Sequence, residues 1–456
     1  MNDSLRRELV NIVGKENAIE DPKMYAPYGS DATKIYHPPD LVLFPKTAQE
    51  ISQILLLANR HKFFVVPRGA GTGMSGGAVP IKGGVVLSLE RMDNILELDP
   101  KDGLCVVEPG VKTLELQIRA KNMGMFYPPD PASKKECTIG GNLAECAGGL
   151  RAIKYGVTRE YVLGLEAVLP TGDIIVAGAR THKGVVGYDL ARLLVGSEGT
   201  LGIFTRAILK LIPLPEVNAT LLVAFEGVHN AVECLFSVLQ NGILPSAAEF
   251  MDQLSYECIS DKLNLFIPYE KPVLLIFEVD GRELQVKKDL EILVEITKRY
   301  GNVIAHGYND EAEDIWSVRR ELSPSMYKLR PNKLSEDIVV PRTKIVQMIS
   351  TIEDISKNFD LPIPVFGHIG DGNLHVNIMY NGNQENEKQK VLLIVEEIFK
   401  EVIRLNGTIS GEHGVGITKM PYLTMELQTK HIEIMKGIKR VFDPNNILNP
   451  HKIFQF

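Results

Sequence analysis

Two stretches in the C-terminal half carry side chains of the kind that hold metals and move protons. Phe366-Gly367-His368-Ile369-Gly370-Asp371-Gly372-Asn373-Leu374-His375-Val376-Asn377-Ile378 ends an apolar run on His368 and turns at Gly370-Asp371-Gly372. His375 and Asn377 then fall at i, i+2, one face of the next strand, and the turn lets both imidazoles converge. Ile409-Ser410-Gly411-Glu412-His413-Gly414 adds a carboxylate and a third histidine between glycines. Two neutral imidazoles and one carboxylate make a ligand set for a catalytic divalent metal with positions left open. Two histidines alone are more often separately satisfied polar residues. The Glu-His pair shifts that balance, because it supplies a third ligand and a proton acceptor together. Arg319 and Arg320, beside Trp316 on a helix expected to break at Ser323-Pro324, could clamp a carboxylate bidentately. The competing reading is a solvated helix face paired with Glu311, Glu313, Asp314 and Glu321.

A second chemistry lies in Val65-Val66-Pro67-Arg68-Gly69-Ala70-Gly71-Thr72-Gly73-Met74-Ser75-Gly76-Gly77. Glycines free to take positive φ leave backbone amides able to line an anion-binding concavity, so a phosphate is the natural guest. Gly71, Gly73 and Gly76 match G-x-G-x-x-G, but a dinucleotide loop opens into a helix. Here Val85-Val86-Leu87-Ser88-Leu89 follows, which reads as a strand. The Rossmann reading is excluded, and a plain surface turn remains the alternative. Thr138-Ile139-Gly140-Gly141-Asn142-Leu143-Ala144-Glu145-Cys146-Ala147-Gly148-Gly149 is a second such element, in which Thr138 can cap a short helix. Gly196-Ser197-Glu198-Gly199-Thr200-Leu201-Gly202-Ile203 is a third.

These sites need elements to position them. Leu41 to Phe44 is an apolar strand, and Thr47 to Lys62 a helix with Thr47 and Glu50 as a capping box. Its stripe is Ile51, Ile54, Leu55 and Ala58. With the strand Phe63–Val66 this makes a βαβ unit that delivers the chain into the glycine loop. Leu163–Leu169 and Ile174–Ala177 read as a hairpin. Beyond Ile212-Pro213-Leu214-Pro215 the texture changes to strands and helices of an antiparallel sheet with helices on one face. The predicted class is α+β. Residues 1–214 form a first domain, 215–430 a second, and 431–456 a segment returning to the first. With 456 residues, two or three domains are expected. A net charge of −7 argues against nucleic acid as a partner. Five cysteines without a C-x-x-C pair argue against disulfides or a cluster held by this chain. With no apolar run long enough to span a membrane, a cytoplasmic protein is expected.

The three glycine clusters, the Tyr127-Pro128-Pro129-Asp130-Pro131 segment and the two histidine motifs occur in an order seen in one family. From about Pro45 to Phe454 the chain resembles the FAD-linked D-2-hydroxy-acid dehydrogenases of the vanillyl-alcohol-oxidase type, such as glycolate oxidase flavin subunits and D-lactate dehydrogenases. The resemblance implies non-covalent FAD, with Arg68, Gly69, Ala70, Gly71, Thr72, Gly73, Ser75 and Gly76 at the pyrophosphate. It implies Pro129, Asp130, Thr138, Gly140, Gly141, Asn142, Ala144 and Gly149 at the flavin and ribityl side. Glu198, Gly202, Ile203 and Asn449 would complete the nucleotide site. It further implies that His368, His375 and Glu412 hold zinc, manganese or iron. Asn377 would orient substrate oxygens, Arg319 would bind the substrate carboxylate, and His413 would be the general base. Some relatives add a lysine in a Tyr-Lys-Tyr-Asp segment; Leu334-Ser335-Glu336-Asp337 stands here, with Lys333 as a substitute. That departure argues against a bulky diacid. The implied activity is oxidation of D-lactate or glycolate to the 2-oxo acid. D-2-hydroxyglutarate, another alcohol, or a role as flavin subunit of a larger complex are the alternatives. Electrons would leave to an electron-transferring flavoprotein, quinone, cytochrome or iron–sulfur subunit, in a homodimer or hetero-oligomer, with membrane association only through a partner.

Overall fold

The computed structural model describes residues 1–263 and 265–455. They fall into two compact units. Residues 1–148, 157–214 and 412–456 make the first, and residues 149–156 and 215–411 the second.

In the first unit the helix Ala48–His61 starts on Thr47, whose Oγ1 accepts from the Glu50 N–H at 3.2 Å. The Glu50 carboxylate turns to the Lys46 N–H at 2.7 Å, one residue earlier than a capping box requires. Ile51, Ile54, Leu55 and Ala58 are sealed in the core, each large aliphatic contributing roughly 1.5–3 kcal/mol. The strands before and after this helix, Leu41–Leu43 and Val65–Arg68, both run parallel to Val85–Ser88, which lies between them. Ala18–Ile19 closes that sheet antiparallel. The glycine loop thus leaves the C-terminal end of a parallel strand and leads to another strand, as the sequence requires. A second sheet is antiparallel, ordered Ile95–Asp99, Leu104–Val107, Ile203–Lys210, Val162–Val168, Ile174–Gly178. Its last two strands are the predicted hairpin.

Residues 412–456 are built into this unit. The Val65 N–H donates to the Ile447 carbonyl (2.9 Å) and the Asn449 N–H to the Val65 carbonyl (2.8 Å), extending the sheet edge. Lys439 Nζ is buried and reaches the Thr200 and Leu448 carbonyls, both at 2.8 Å, and Asp443 at 2.5 Å. Lys452 Nζ donates to the Val79 carbonyl at 2.6 Å, and burial brings its pKa down to about 8.

The second unit holds one antiparallel sheet of seven strands. Their order is Asn302–Tyr308, Val217–Phe225, Val273–Gly281, Ala247–Met251, Val365–His368, Asn373–Tyr380, Asn332–Val339. The sheet carries helices on both faces, not one, because its central strands are apolar on both. Leu222, Met251, Leu274, Ile276 and Phe366 pack under the helices Gln253–Ile259 and Glu313–Ser325. The alternating residues Leu221, Val223, Phe250, Leu275 and Phe277 are buried beneath Val228–Gln240 and Glu283–Thr297. The helix carrying Arg319 runs through Pro324 instead of breaking there; in a last turn proline removes one N–H bond and little else. Residues 149–156 join this unit through Lys154 and Tyr155, which bind Asp280 at 2.5 and 2.8 Å.

Asp252 ties two of these elements. Its Oδ1 accepts from the Ser255 N–H (2.8 Å), capping a helix, and its Oδ2 from the Val365 N–H (2.9 Å), anchoring the strand that ends on His368. Burial raises its pKa to about 7 against those donors. An acid raised on folding binds its proton more tightly in the native state. Its stabilisation is complete below the usual carboxylate range and is lost as pH rises through about 7. Chemical denaturation at pH 5 and pH 7.5 should therefore show a loss of stability that Asp252→Asn flattens. Among the described residues no helix is long and apolar enough to cross a membrane, and all five cysteines are buried thiols.

Candidate active site

The three glycine clusters meet in the first unit around a cavity of about 250 Å³. Arg68, Gly69, Ala70, Gly71, Thr72 and Gly73 form one wall, and Thr138, Gly140, Gly141, Asn142 and Ala144 another. Glu198, Gly202, Ile203 and Asn449 form a third. Close backbone approach makes the glycines necessary. A Cβ on Gly69 would come within 2.5 Å of Thr138 Oγ1, and one on Gly140 within 2.6 Å of Pro109 Cβ. Thr138 caps its helix by accepting from the Gly141 N–H at 3.3 Å. A Cβ on Gly73 would meet nothing within 4 Å, so the loop is open toward the cavity there. An open glycine wall and a capped glycine-rich turn are what a flat cofactor with a pyrophosphate needs, and FAD fits these residues.

Other expected contacts lie elsewhere. Ser75, Gly76, Pro129, Asp130 and Gly149 do not line the cavity. The Ser75 carbonyl accepts from Ile417 N–H at 2.8 Å. Asp130 pairs with Lys134 (2.6 Å), the Pro129 carbonyl accepts from Gln117 (2.9 Å), and Gly149 belongs to the second unit. Arg68, in the wall, is also a brace: its guanidinium donates to the carbonyls of Ser30 (2.7 Å) and Pro27 (2.6 Å).

The segment after Gly411 is threaded through this unit. Glu412 lies against Gly148, where a Cβ would come within 2.9 Å of its Oε2. Val415 and Gly416 donate their N–H groups to Glu198 at 2.8 and 2.6 Å. Glu412 and His413 both line the cavity, as does Glu145. Glu145 and Glu198 crowd the same point beside Gly414. Burial pushes both carboxyls up; Glu198 and Asp31 raise Glu145 further, whereas the N–H groups of Val415 and Gly416 oppose the rise at Glu198. Glu145 was not singled out from the sequence; an acid inside a glycine-rich turn was its only signal.

The second unit assembles the histidines. Phe366 pairs with His375 across the predicted hairpin, and the rings of His368 and His375 stand 5.2 Å apart, edge to face. On the neighbouring strand Asp337 is opposite His375 and Ser335 opposite Asn377. Asn377 is fully buried, its amide donating to the His375 carbonyl (3.0 Å) and its Oδ1 accepting from Ser335 Oγ (2.9 Å). Asp337 accepts from Asn373 Nδ2 at 2.6 Å and, through Oδ2, from the Gly411 N–H at 2.9 Å. Glu412 and His413 follow directly in the chain. Imidazole and carboxylate donors in this setting suit a borderline divalent ion. The two arginines divide: Arg320 pairs with Glu313 on the exposed helix face, the bland reading, while Arg319 turns inward. Its Nε and Nη2 reach Glu249 Oε2 at 3.0 and 2.7 Å, and the other oxygen of Glu249 meets His368 Nδ1 at 2.5 Å. Burial favours the acid form of Glu249, but His368 and Arg319 together outweigh it and hold the pKa below the usual carboxylate range. Glu249 and Asp337 are the residues that the sequence reading missed. A lone charge inside the buried strand Ala247–Met251 was the available sign of the first.

Comparison with known proteins agrees with this construction. Residues 39–178 match the family model described as FAD binding domain, and residues 214–453 that described as FAD linked oxidases, C-terminal domain. The chain is 42% identical to the glycolate oxidase subunit GlcD of Bacillus subtilis (strain 168) over 99% of its own length and 96% of the relative's. It is 36% identical to the D-lactate dehydrogenase of Anaerostipes hadrus, covering 91% and 89%. It is 35% identical to the D-2-hydroxyglutarate dehydrogenase of Stutzerimonas stutzeri (strain A1501), covering 98% of each. A crystal structure of p-cresol methylhydroxylase with substrate bound superposes with a TM-score of 0.79 at 17% identity, over 99% of this chain and 97% of that one, which shows the shared fold. With two glycine-walled subdomains around one cavity and a sheet-built cap carrying the histidines, the chain belongs to the FAD-linked oxidases and is an oxidoreductase acting on hydroxy acids.

Proposed function

We propose that the protein oxidises a small D-2-hydroxy acid, D-lactate or glycolate, to its 2-oxo acid, and passes the electrons from FAD to an acceptor other than a nicotinamide. The observation that carries this reading is the convergence of His368 and His375 beside Asp337, with Gly411 hydrogen-bonded to Asp337 so that Glu412 and His413 follow at once. When bound, FAD supplies the hydride acceptor and a divalent ion (zinc, manganese or iron) supplies Lewis acidity. His368, His375 and Glu412 would hold the ion, and Asp337, opposite His375 on the neighbouring strand, is a further carboxylate beside that histidine. His413 takes the substrate hydroxyl proton as general base. Arg319 binds the substrate carboxylate, and Asn377 fixes the strand backbone at His375.

The favoured substrates are monoacids. A diacid such as D-2-hydroxyglutarate is the second reading, supported by one named relative and by Lys333, which shares a strand face with Ser335 and Asp337. Lys333 Nζ donates to Ser323 Oγ at 2.5 Å, on the helix that carries Arg319, near enough to meet a second carboxylate. Relatives named as oxidase subunits support electron exit to a partner: an electron-transferring flavoprotein, quinone, cytochrome or iron–sulfur subunit. A cytoplasmic location, with any membrane association made through that partner, follows the same reading.

Anaerobic titration of the yellow protein with D-lactate, L-lactate, glycolate and D-2-hydroxyglutarate tests it. Bleaching by D-lactate or glycolate, abolished by chelation and restored by Zn²⁺ or Mn²⁺, is the expected result. Bleaching by none of the four acids defeats the substrate assignment.

A further inference from the structure

Resting on the functional reading above, we propose that Glu249 is a positioning residue that sets the metal ligand and the carboxylate-binding guanidinium with one side chain. Its two oxygens are divided between them. Oε1 meets His368 Nδ1 at 2.5 Å, while Oε2 receives both Nε and Nη2 of Arg319 at 3.0 and 2.7 Å. The side chain is 1% exposed. The strand register explains the first contact, since Glu249 and His368 are direct cross-strand partners. The helix Glu313–Ser325 explains the second. Ile315 and Leu322 seat it on the sheet, and Arg319 falls on the same face between them.

The surroundings argue that this carboxylate is kept for a reason other than packing. Its neighbours on this face of the sheet are Met251, Phe366, Leu274 and Ile276, all apolar and buried. An apolar side chain there would be cheaper than an ion pair. An Arg–Glu pair, moreover, would not need the histidine. The carboxylate does what an apolar residue cannot. With Nδ1–H donating to Glu249, His368 is the neutral tautomer whose lone pair is on Nε2, the form that ligates a metal. The guanidinium is held by a fork and stacked on Phe366, 4.6 Å from the ring centre, so its direction is fixed as well. Loss of one side chain should therefore disturb metal affinity and substrate affinity together.

The test uses flavin-loaded protein titrated with Mn²⁺ alone and with Zn²⁺ alone, followed by steady-state kinetics. Glu249→Gln keeps the volume but sets its amide N–H₂ against one of two donors. It should lower Mn²⁺ affinity about 10–100-fold and raise KM for the hydroxy acid, and nitrogen NMR should show His368 losing its single tautomer. Arg319→Lys is the control: KM rises while Mn²⁺ affinity stays as in the wild type. If Glu249→Gln fails to fold, the double variant Glu249→Met with Arg319→Met removes both charges and must still show the weakened Mn²⁺ site. Unchanged Mn²⁺ affinity and KM in Glu249→Gln, or unchanged Mn²⁺ affinity in the double variant, overturns the proposal. So does a wild type that binds neither ion. A wild type that binds Mn²⁺ yet is reduced by no hydroxy acid defeats the substrate reading alone, and the metal titration and NMR still judge Glu249.

Discussion

Gly71→Asp yields a colourless, flavin-free protein: this is the largest effect expected of any single substitution in the first unit. Gly71 has φ +70°, a conformation that costs a residue with a Cβ roughly 1–2 kcal/mol. That term alone would not empty the site. The added Cβ would also collide with the Arg68 guanidinium, which is held by the Pro27 and Ser30 carbonyls and cannot swing away without releasing that segment. A carboxylate in a concavity of backbone amides then repels the pyrophosphate it replaces. Gly73→Asp separates the two causes, because a Cβ at that position meets nothing within 4 Å and only the charge is tested. The ratio of visible flavin absorbance to protein absorbance in the purified variants is the measurement. A yellow Gly71→Asp protein with wild-type flavin content would remove this loop from the cofactor site.

His413→Ala should leave the flavin bound and slow its reduction by substrate roughly 10²–10⁴-fold, the usual worth of a placed general base. His375→Ala should do the same through loss of a ligand, with the difference that its divalent-metal content falls as well. Neither change reaches the loops that wall the cavity on the Gly71 side, so colour and rate should separate. Stopped-flow mixing with substrate under anaerobic conditions reads the rate directly. Full-rate bleaching in both variants would sink the assignment of base and ligand alike.

What could be read from the sequence was whatever depends on near neighbours along the chain. The helix Ala48–His61 declared itself by cap and stripe, the Val162–Gly178 hairpin by its turn, and the His368–His375 turn by its glycines. Family resemblance supplied the cofactor and the roles. The missed site residues are long-range. Glu249 is separated from His368 by more than a hundred residues, and only the strand register brings them opposite one another. Asp337 was read as part of a segment lacking a lysine, and nothing local marks it as the partner of His375. The capping box at Thr47 failed by one residue because Glu50 found a nearer amide. Helices on both faces of the cap sheet followed from strands apolar on both sides, which a short apolar run does not distinguish from one buried face.

The way residues 412–456 are built into the first unit has a consequence for biosynthesis. Asn449 walls the cavity, Ile447 and Asn449 extend the Val65 strand, and the N–H groups of Val415 and Gly416 donate to Glu198. A ribosome that has translated only as far as Lys210 has made both glycine-walled sheets but not the pieces that close the pocket between them. Flavin capture must wait until the whole intervening cap has been synthesised. Chains broken off earlier would emerge without the redox cofactor.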